Sequence, residues 1–399
     1  MIKKSILIAC LFLSLVSFAQ EGTSSPYSFY GIGDIRFKGT AENRSMAGLA
    51  IAPDSIHINL QNPAGYSDLK LTSFALGATY NTTSQKTDSQ SGSARRTALD
   101  YLAVGLPLGK LGMGFGLIPY SSVGYKIKTT STILDGSGGM NKVFLGFGYK
   151  LGENLSVGAD AQYNFGKIIT TSFVLDSNIS NGTSAVNTAI LSGINFNFGL
   201  MYQTKITKKM SLYSSVSYAP ESALVSENIR EIIVSGDNTN TQQDTRSLKL
   251  PSKLSFGVGF GEIRKWLLGA EVNLQSTGNL VNFYNEVNNV VYGKGSKYTI
   301  GGYFIPNYKS YTSYFKRITY RGGLKYEKTG LVINSESIND MGLTLGIGMP
   351  LSGTFSNINF GFELGKKGTT AAKLVQENYV NLNIGFSLNE KWFEKRKFN

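Results

Sequence analysis

His57 is the only histidine in the 399-residue chain, and histidine is the side chain best suited to act as a general base near neutral pH. A serine hydrolase or acyltransferase in a membrane would need such a base, oriented by a third group. No nucleophile motif surrounds His57, so a plain hydrogen-bonding residue is favoured over a catalytic one. The sequence therefore predicts that the protein is not an enzyme.

A glycine-rich run over 112–116 superficially resembles a phosphate-binding loop. Such a loop needs a helix directly after it, whereas this run lies inside an alternating strand pattern. Its glycines are better explained by making room for another chain segment. Because HExxH, CxxC and calcium-loop patterns are also missing from the sequence, we expect no cofactor and no metal site.

Strict alternation of apolar with small or polar residues, about ten at a time, runs through most of the chain. For example, Leu155 and Val157 share one face, and Ser156 and Gly158 share the other. Fourteen such strands are linked alternately by tight turns and longer polar loops, which is typical of an outer-membrane barrel. We predict an all-β, 14-stranded antiparallel transmembrane β-barrel over 69–388, with long loops outside and both termini in the periplasm.

The first residues are predicted to form a signal peptide over 1–19. A positive start precedes an apolar run, and Ser17-Phe18-Ala19 is a small-x-small cleavage site. Cleavage there removes Cys10, the only cysteine, which excludes a disulfide framework, a cysteine–zinc site and a cysteine nucleophile. A lipoprotein signal ending at Cys10 is the alternative, but too few apolar residues precede it.

The chain is basic, with 39 Lys and Arg against 26 Asp and Glu. Nucleic acid is a common partner of basic proteins, but an exported chain does not meet it, and no basic helix or RNA-binding motif occurs. Anionic lipid headgroups are the more plausible counter-charge. We therefore expect an integral protein of the bacterial cell outer membrane with outer-membrane lipids, and no nucleic acid, as partners.

Five charged side chains point into the lumen by strand parity. A lone charge in a protein-filled interior is costly, so these groups should pair with one another, with water or with Arg44. Generic polar packing in a wet lumen is the alternative. The five residues are Asp160, Glu271, Arg321, Lys325 and Glu363.

Two segments flank the predicted barrel. Residues 20–68 do not alternate and are punctuated by Gly and Pro, so they should fold inside the lumen as a hatch or plug, or hang below the barrel. Residues 389–399 form a basic, aromatic tail expected in the periplasm. We expect Trp392 in this tail and Trp266 near a tight turn to lie at the membrane interface.

The pre-barrel segment carries a motif: an Asn-Arg-Ser-Met-Ala-Gly stretch, an acidic residue and then Asn-Pro-Ala-Gly. The motif resembles the N-terminal signature of FadL-like outer-membrane proteins. Together with both chain ends, it is similar to the Bacteroidota-type branch of the FadL/PorV-like group. The residues that carry the match are Arg44, Met46, Gly48, Asp54, Asn62, Pro63 and Gly65.

The resemblance implies a fourteen-stranded barrel with a hatch, and passive transport of small hydrophobic compounds across the outer membrane. The alternative is a non-enzymatic accessory subunit of a protein-secretion or barrel-assembly complex, with other subunits as partners. FadL-type loops are expected to be long and apolar, but here 83–96 and 235–246 are polar and only 280–292 is apolar enough to capture such compounds. A lateral gap and an apolar cavity would favour transport, whereas a sealed lumen and an exposed flank that does not face lipid would favour the accessory role.

Overall fold

The computed structural model describes residues 22–392 except 130–131, 175–182, 235–236 and 281–288. The predicted signal peptide, most of the apolar loop 280–292 and the tail beyond Trp392 therefore lie outside the described residues. Within the described part of the chain, no helix is long and apolar enough to cross a membrane.

All strands belong to one antiparallel sheet, which closes where the last strand pairs with the first barrel strand. One short α-helix, α1 (Ala41–Arg44), precedes the barrel, and 3-10 turns cover Pro26–Phe29, Pro63–Asp68, Phe315–Arg317 and Ala371–Lys373. The strands are β1 (Asp34–Ile35), β2 (Thr72–Lys86), β3 (Ser91–Leu108), β4 (Leu111–Lys128), β5 (Thr132–Leu151), β6 (Leu155–Val174), β7 (Thr183–Lys205), β8 (Met210–Ala219), β9 (Ser222–Val234), β10 (Asp237–Leu250), β11 (Lys253–Glu262), β12 (Trp266–Gln275), β13 (Val290–Tyr292), β14 (Gly295–Phe304), β15 (Thr319–Ile333), β16 (Glu336–Pro350), β17 (Asn357–Lys367) and β18 (Gln376–Glu390).

At three of the positions in the barrel wall, two shorter strands lie end to end in place of one long strand. Strands β8 and β9 both pair with β7, and in the next position β11 pairs with β8 and β10 pairs with β9. In the same way, β13 and β14 both pair with β15. Pro220 and Pro251 lie at two of these interruptions, because proline cannot donate a ladder hydrogen bond. When each end-to-end pair is counted as one strand, the barrel is fourteen-stranded, which confirms the predicted fold.

The outer face of the barrel is apolar and its inner face is made of small and polar residues. On β11, Phe256 and Val258 are 54% and 42% exposed, and Gly257 between them faces the interior. Apolar side chains exposed in this number would be unfavourable in water but are stabilised by lipid tails. The period-2 pattern in the sequence thus marks which residues contact lipid.

Two polar stretches that we expected to be loops are strands instead. β2 and β3 extend through most of 83–96, and β10 covers most of 235–246. Outside the lipid layer both faces of a strand are wet, so the polar and apolar residues need not alternate, although the ladder continues. Sequence alternation therefore ends before the strands do.

We expect the turn that contains Ser89 to lie outside the cell and the tight turn at Lys208 to lie in the periplasm. Alternate turns of an antiparallel barrel lie on opposite sides of the membrane. The polar ends of β2 and β3 make the hairpin around Ser89 a long polar projection, which is typical of the extracellular side. A tag inserted after Ser89 should be labelled on intact cells, and one inserted after Lys208 only after the outer membrane is opened. The reverse labelling pattern would invert the orientation.

Candidate functional site

The segment before the first barrel strand, residues 22–71, lies against inward glycines of the sheet; we call it the pre-barrel segment. A Cβ at Gly158 would lie 2.4 Å from the carbonyl carbon of Pro63, and one at Gly257 would lie 2.3 Å from Ile51. A Cβ at Gly112 would lie 1.8 Å from the Tyr66 carbonyl oxygen. These positions lack a side chain because the backbone or a side chain of the pre-barrel segment occupies the space. The glycine-rich run over 112–116 therefore has a packing role here, in part against Tyr66.

The Asn-Pro-Ala-Gly motif joins the pre-barrel segment to two strands. The Asn62 side-chain oxygen accepts from Ala64 N at 3.0 Å, which caps the 3-10 turn that begins at Pro63. Its amide nitrogen donates to the carbonyl oxygens of Leu200 on β7 and Val216 on β8, at 3.2 and 3.0 Å. One amide side chain thus forms hydrogen bonds both with the local turn and with the backbone of two barrel strands.

The other motif glycines and Met46 serve close packing. Gly48 has φ of +98°, a left-handed conformation that favours glycine, and it follows a turn after α1. Cβ atoms at Gly301 or Gly323 would lie 2.6 Å from backbone atoms of Met46. A Cβ at Gly65 would lie 2.9 Å from the Cβ of Asn59. The motif glycines and Met46 are therefore explained by close backbone packing.

His57 is surrounded by polar side chains of the pre-barrel segment and of β17. Its Nδ1 is 2.7 Å from Asp54 Oδ2, and its Nε2 is 3.5 Å from both Glu42 Oε1 and Asn357 Nδ2. Among the described residues its side-chain partners are thus acids and an amide, with no hydroxyl nucleophile. The geometry matches that of a hydrogen-bonding residue.

Burial lowers the pKa of His57, but the charges of Asp54 and Glu42 outweigh burial and raise this pKa above its usual 6.5. Burial raises the pKa of Asp54, but the His57 charge and hydrogen bonds lower it to about 2. Protonated His57 therefore stabilises the folded state fully below about pH 6.5, and this contribution is lost as the pH rises through the raised pKa. The Asp54 contribution is lost only in strong acid.

We expect amide hydrogen exchange of residues 54–58 to accelerate as the pH rises above about 6.5, after correction for the intrinsic rate, because His57 loses its charge as the pH passes its raised pKa. In His57→Gln the same residues should exchange faster at pH 6 and show no further pH-dependent loss of protection. Equal pH dependence in both proteins would contradict a role for His57 protonation.

An acid that the sequence analysis missed, Asp100 on β3, binds two arginines of the pre-barrel segment. Asp100 Oδ1 is 3.2 Å from Arg36 Nη2, and Oδ2 is 3.7 Å from Arg44 Nη1. Arg44 also donates to Thr79 Oγ1 and Asn383 Oδ1, at 2.6 and 2.7 Å. Asp100 is the extra residue of a bulge, since Tyr101 pairs with Gly77 and Leu99 with Ala78. Strand parity misses it because a bulge shifts the alternation by one residue.

The five charges predicted for the lumen have different partners from one another. Lys325 Nζ lies 2.8 Å from Glu363 and 3.1 Å from Asp340, all on the barrel wall. Glu271 Oε2 accepts from Ala50 N of the pre-barrel segment at 3.1 Å. The other partners are amides, with Asp160 bound by Asn197 and Gln162 and Arg321 bound to Asn359. Arg44 therefore pairs with Asp100, and of the five charges only Lys325 and Glu363 pair together.

The two tryptophans lie outside the lumen. Trp266 begins β12 and packs edge-on against Phe260, with the ring centroids 5.7 Å apart. Trp392 follows β18 and is 53% exposed. Their placement at the membrane interface stays a prediction.

Strands β3 and β4 separate above their shared turn. Their ladder runs only from Leu108 and Leu111 to Leu102 and Leu117, although each strand has 18 residues. β1 of the pre-barrel segment lies on the open edge of β4: Asp34 and Ile35 pair with Ser122 and Ser121, and Arg36 N donates to Tyr120 O at 2.9 Å. A lateral gap in the wall is thus covered by the pre-barrel segment.

Beside this gap, an apolar cluster fills the interior of the barrel. Ile32 of the pre-barrel segment is buried against Val123 of β4, Met140 of β5 and other apolar residues. The remaining buried members are Tyr125, Ile168, Ala189, Leu191, Leu224, Leu248 and Leu250. The interior next to the gap is therefore apolar.

A cavity of about 380 Å³ lies between the pre-barrel segment and the opposite wall. Its lining includes apolar residues such as Leu274, but also Lys38, Lys253, Lys297 and Glu271. The cavity is therefore more polar than the apolar cavity that would favour transport. Within the described residues, no group of His, Cys, Asp or Glu could hold a metal ion.

Comparison with known proteins gives one family and a set of similar folds. The family model described as BamG matches residues 1–399, and no curated protein sequence matches the chain. The Ralstonia pickettii toluene transporter TbuX superposes with a TM-score of 0.63 at 16% identity, over 88% of this chain and 99% of that one. The Pseudomonas putida toluene transporter TodX gives 0.60 at 15%, over 91% and 100%. A Pseudomonas aeruginosa FadL homologue gives 0.61 at 10%, over 89% and 98%.

These matches confirm the resemblance to FadL-type barrels that the N-terminal motif indicated. A closed barrel with an apolar outer belt and this fold is an integral protein of the outer membrane, as predicted. The similar structures named above are transporters or a FadL homologue, and none of them is described as an enzyme.

Proposed function

The chain belongs to the BamG family, and from its FadL-type barrel fold we propose that it is a non-enzymatic passive channel for small hydrophobic compounds. The observation that carries the proposal is the gap between β3 and β4. A barrel wall whose ladder is complete gives a solute in the lumen no exit into the membrane, whereas an interrupted ladder gives it a route into lipid.

The surroundings of the gap suit an apolar solute. If β1 moves away from β4, the surface it leaves includes Val123 and Met140, which Ile32 now covers. An apolar compound would gain by burial there, whereas an ion would lose its hydration. Two backbone-paired residues form β1, so its displacement breaks a short ladder and the ion pair between Asp34 and Lys367 of β17.

We propose that the pre-barrel segment is a hatch, in line with the predicted division of the mature chain into hatch over 20–68, barrel over 69–388 and tail over 389–399. The hatch is fixed to the wall by the Asp100 pairs with Arg36 and Arg44, the Glu271 bond to Ala50, and Asn62. These contacts act on 36–62, whereas the ion pair between Asp34 and Lys367 is the side-chain contact that holds β1 itself. Movement of β1 alone would open the lateral route without releasing the hatch.

Uptake of labelled toluene by cells with an intact outer membrane tests this function. Cells that express the barrel should take up toluene faster than cells carrying an empty vector. Uptake of a polar solute of similar size should be the same in both strains. Equal toluene uptake in the two strains would overturn the proposal.

A second candidate function, an accessory subunit of an outer-membrane complex, is supported by the open edge of β10. Among the described residues, the edge of β10 that faces away from β9 makes only one bridge, Lys249 to Asn279. An open polar edge can accept a strand from a partner protein. Detergent pull-down with mass spectrometry tests this role, which predicts a partner captured in stoichiometric amount.

Deletion of 391–399 separates two roles for the tail. If the tail anchors the barrel to lipid, the truncated protein should insert and lose a little stability, because basic residues bind anionic lipid weakly, at about 1 kcal/mol each. If it docks a periplasmic partner, the truncated barrel should keep its thermal stability and lose that partner in the pull-down. Complete loss of insertion would contradict both roles and assign the tail to assembly.

A further inference from the structure

Two lysine ammonium groups from different strands share one aromatic ring inside the barrel. The Nζ of Lys142 on β5 is 4.3 Å from the centre of the Tyr120 ring, and the Nζ of Lys253 on β11 is 5.9 Å from it. Cation–π contacts stabilise an ammonium group only modestly. Neither lysine forms an ion pair with a described residue within 4.0 Å.

Lys142 is the more deeply buried of the two, at 3% exposure. Its Nζ donates to the neutral Gln162 Oε1 at 2.9 Å. The nearest acid that acts on it is Asp160, which is itself bound by Gln162 and by Asn197. A buried ammonium group without an ion pair is unfavourable and is stabilised by any anion that can approach it.

Lys38 of the pre-barrel segment completes the group. Lys38 and Lys253 line the same cavity. Lys253 also shares the Tyr120 ring with Lys142. Three separate parts of the chain thus contribute a lysine to this region of the interior.

The space beside these lysines can hold a ligand. Lys38 and Lys253 line the cavity of about 380 Å³, together with the hydroxyls of Ser215 and Ser217 and the amide of Asn273. Glu271 also lines it but accepts from Ala50 N and Asn273 Nδ2. The other lining acids are Asp34, which pairs with Lys367, Asp340, which pairs with Lys325, and Glu327. Lys297, a further lining cation, lies 5.3 Å from the Phe37 ring.

We propose that this cavity binds a phosphate group, held by Lys38 and Lys253, with Lys142 adding positive charge behind them. A phosphate carries up to two charges and several acceptor oxygens, so it can accept from both ammonium groups and the serine hydroxyls at once. A carboxylate has one charge and would leave the lysine group in excess. The site goes beyond the proposed channel function, because it requires binding and no transport.

Two sources could supply the phosphate. One is inorganic phosphate that enters the cavity from water. The other is the phosphate headgroup of a membrane lipid that reaches in through the gap between β3 and β4, where Tyr120 accepts from Arg36 N. The chemistry of the site is the same for both sources.

Phosphate binding by the full-length barrel in detergent tests the site. Titration calorimetry with sodium phosphate at constant ionic strength gives one arm, and native mass spectrometry with phosphatidic acid in the micelles gives the other. The variants are Lys38→Gln, Lys253→Gln and the double variant, with Lys209→Gln in an exposed turn as the matched control. Binding is read without any uptake measurement, so its result is independent of the channel assay.

We expect native and Lys209→Gln proteins to bind equally, and each cavity variant to bind about tenfold more weakly, as expected for the loss of one charge-assisted hydrogen bond. Weakening in the calorimetric arm identifies free phosphate, and loss of bound phosphatidic acid alone identifies a lipid headgroup. Equal binding by native and double-variant proteins in both arms, or no binding by the native protein in either, would overturn the proposal.

Discussion

Asp100→Lys is expected to turn a closed barrel into one that conducts ions. The substitution removes the acid bound by both Arg36 and Arg44 and places a third cation beside them. Breaking a buried ion pair by removing one partner costs about 3–5 kcal/mol, and two pairs share this acid. The hatch should therefore leave its position, and single-channel conductance in planar bilayers should rise well above that of the native barrel.

Asp88→Lys, which makes the same charge change in an exposed turn, is the matched control and should not change conductance. Glu363→Lys should have a smaller effect than Asp100→Lys, because Glu363 pairs with Lys325 within the wall. Glu271→Lys should lie between them, since it removes one bond to Ala50. If Asp100→Lys inserts and stays closed, or if Glu363→Lys conducts more, the Asp100 pairs do not hold the hatch.

A disulfide between positions 35 and 121 is expected to stop uptake of hydrophobic compounds. Ile35 of β1 and Ser121 of β4 are ladder partners, and antiparallel partners have Cα separations that a disulfide can span. The bond would fix β1 over the gap, so toluene uptake should fall about tenfold or more in the oxidised state, as for a locked lid. A reductant should restore it.

The control disulfide joins positions 104 and 115, where β3 and β4 are already paired. It adds a covalent bond without covering any opening, so uptake should be unchanged in both redox states. The chain has one native cysteine, Cys10, in the predicted signal peptide, so the engineered pair has no competing thiol after cleavage. Unchanged uptake with the 35–121 bond formed would show that solutes do not pass between β3 and β4.

The sequence predictions that the structure confirms depend on interactions between residues that are close together in the chain. Alternation such as Phe256, Gly257 and Val258 requires that one face contact lipid and the other a crowded interior, so strand positions follow directly from residue type. The Asn-Pro-Ala-Gly motif could be found as a motif because its residues act on neighbouring backbone, as Asn62 does in capping the following turn. These signals depend on contacts within a few residues.

The barrel, its fourteen wall positions, its location in the outer membrane and the family resemblance follow from the residues alone, because each depends on period-2 alternation or on a contiguous motif. The candidate site depends on the folded barrel. A bulge turned Asp100 inward, a two-residue strand covered the gap between β3 and β4, and closure of the sheet brought Lys142 and Lys253 to the ring of Tyr120. Residues so far apart in the chain become neighbours only through strand register and hatch placement, and single-strand periodicity carries no information about either.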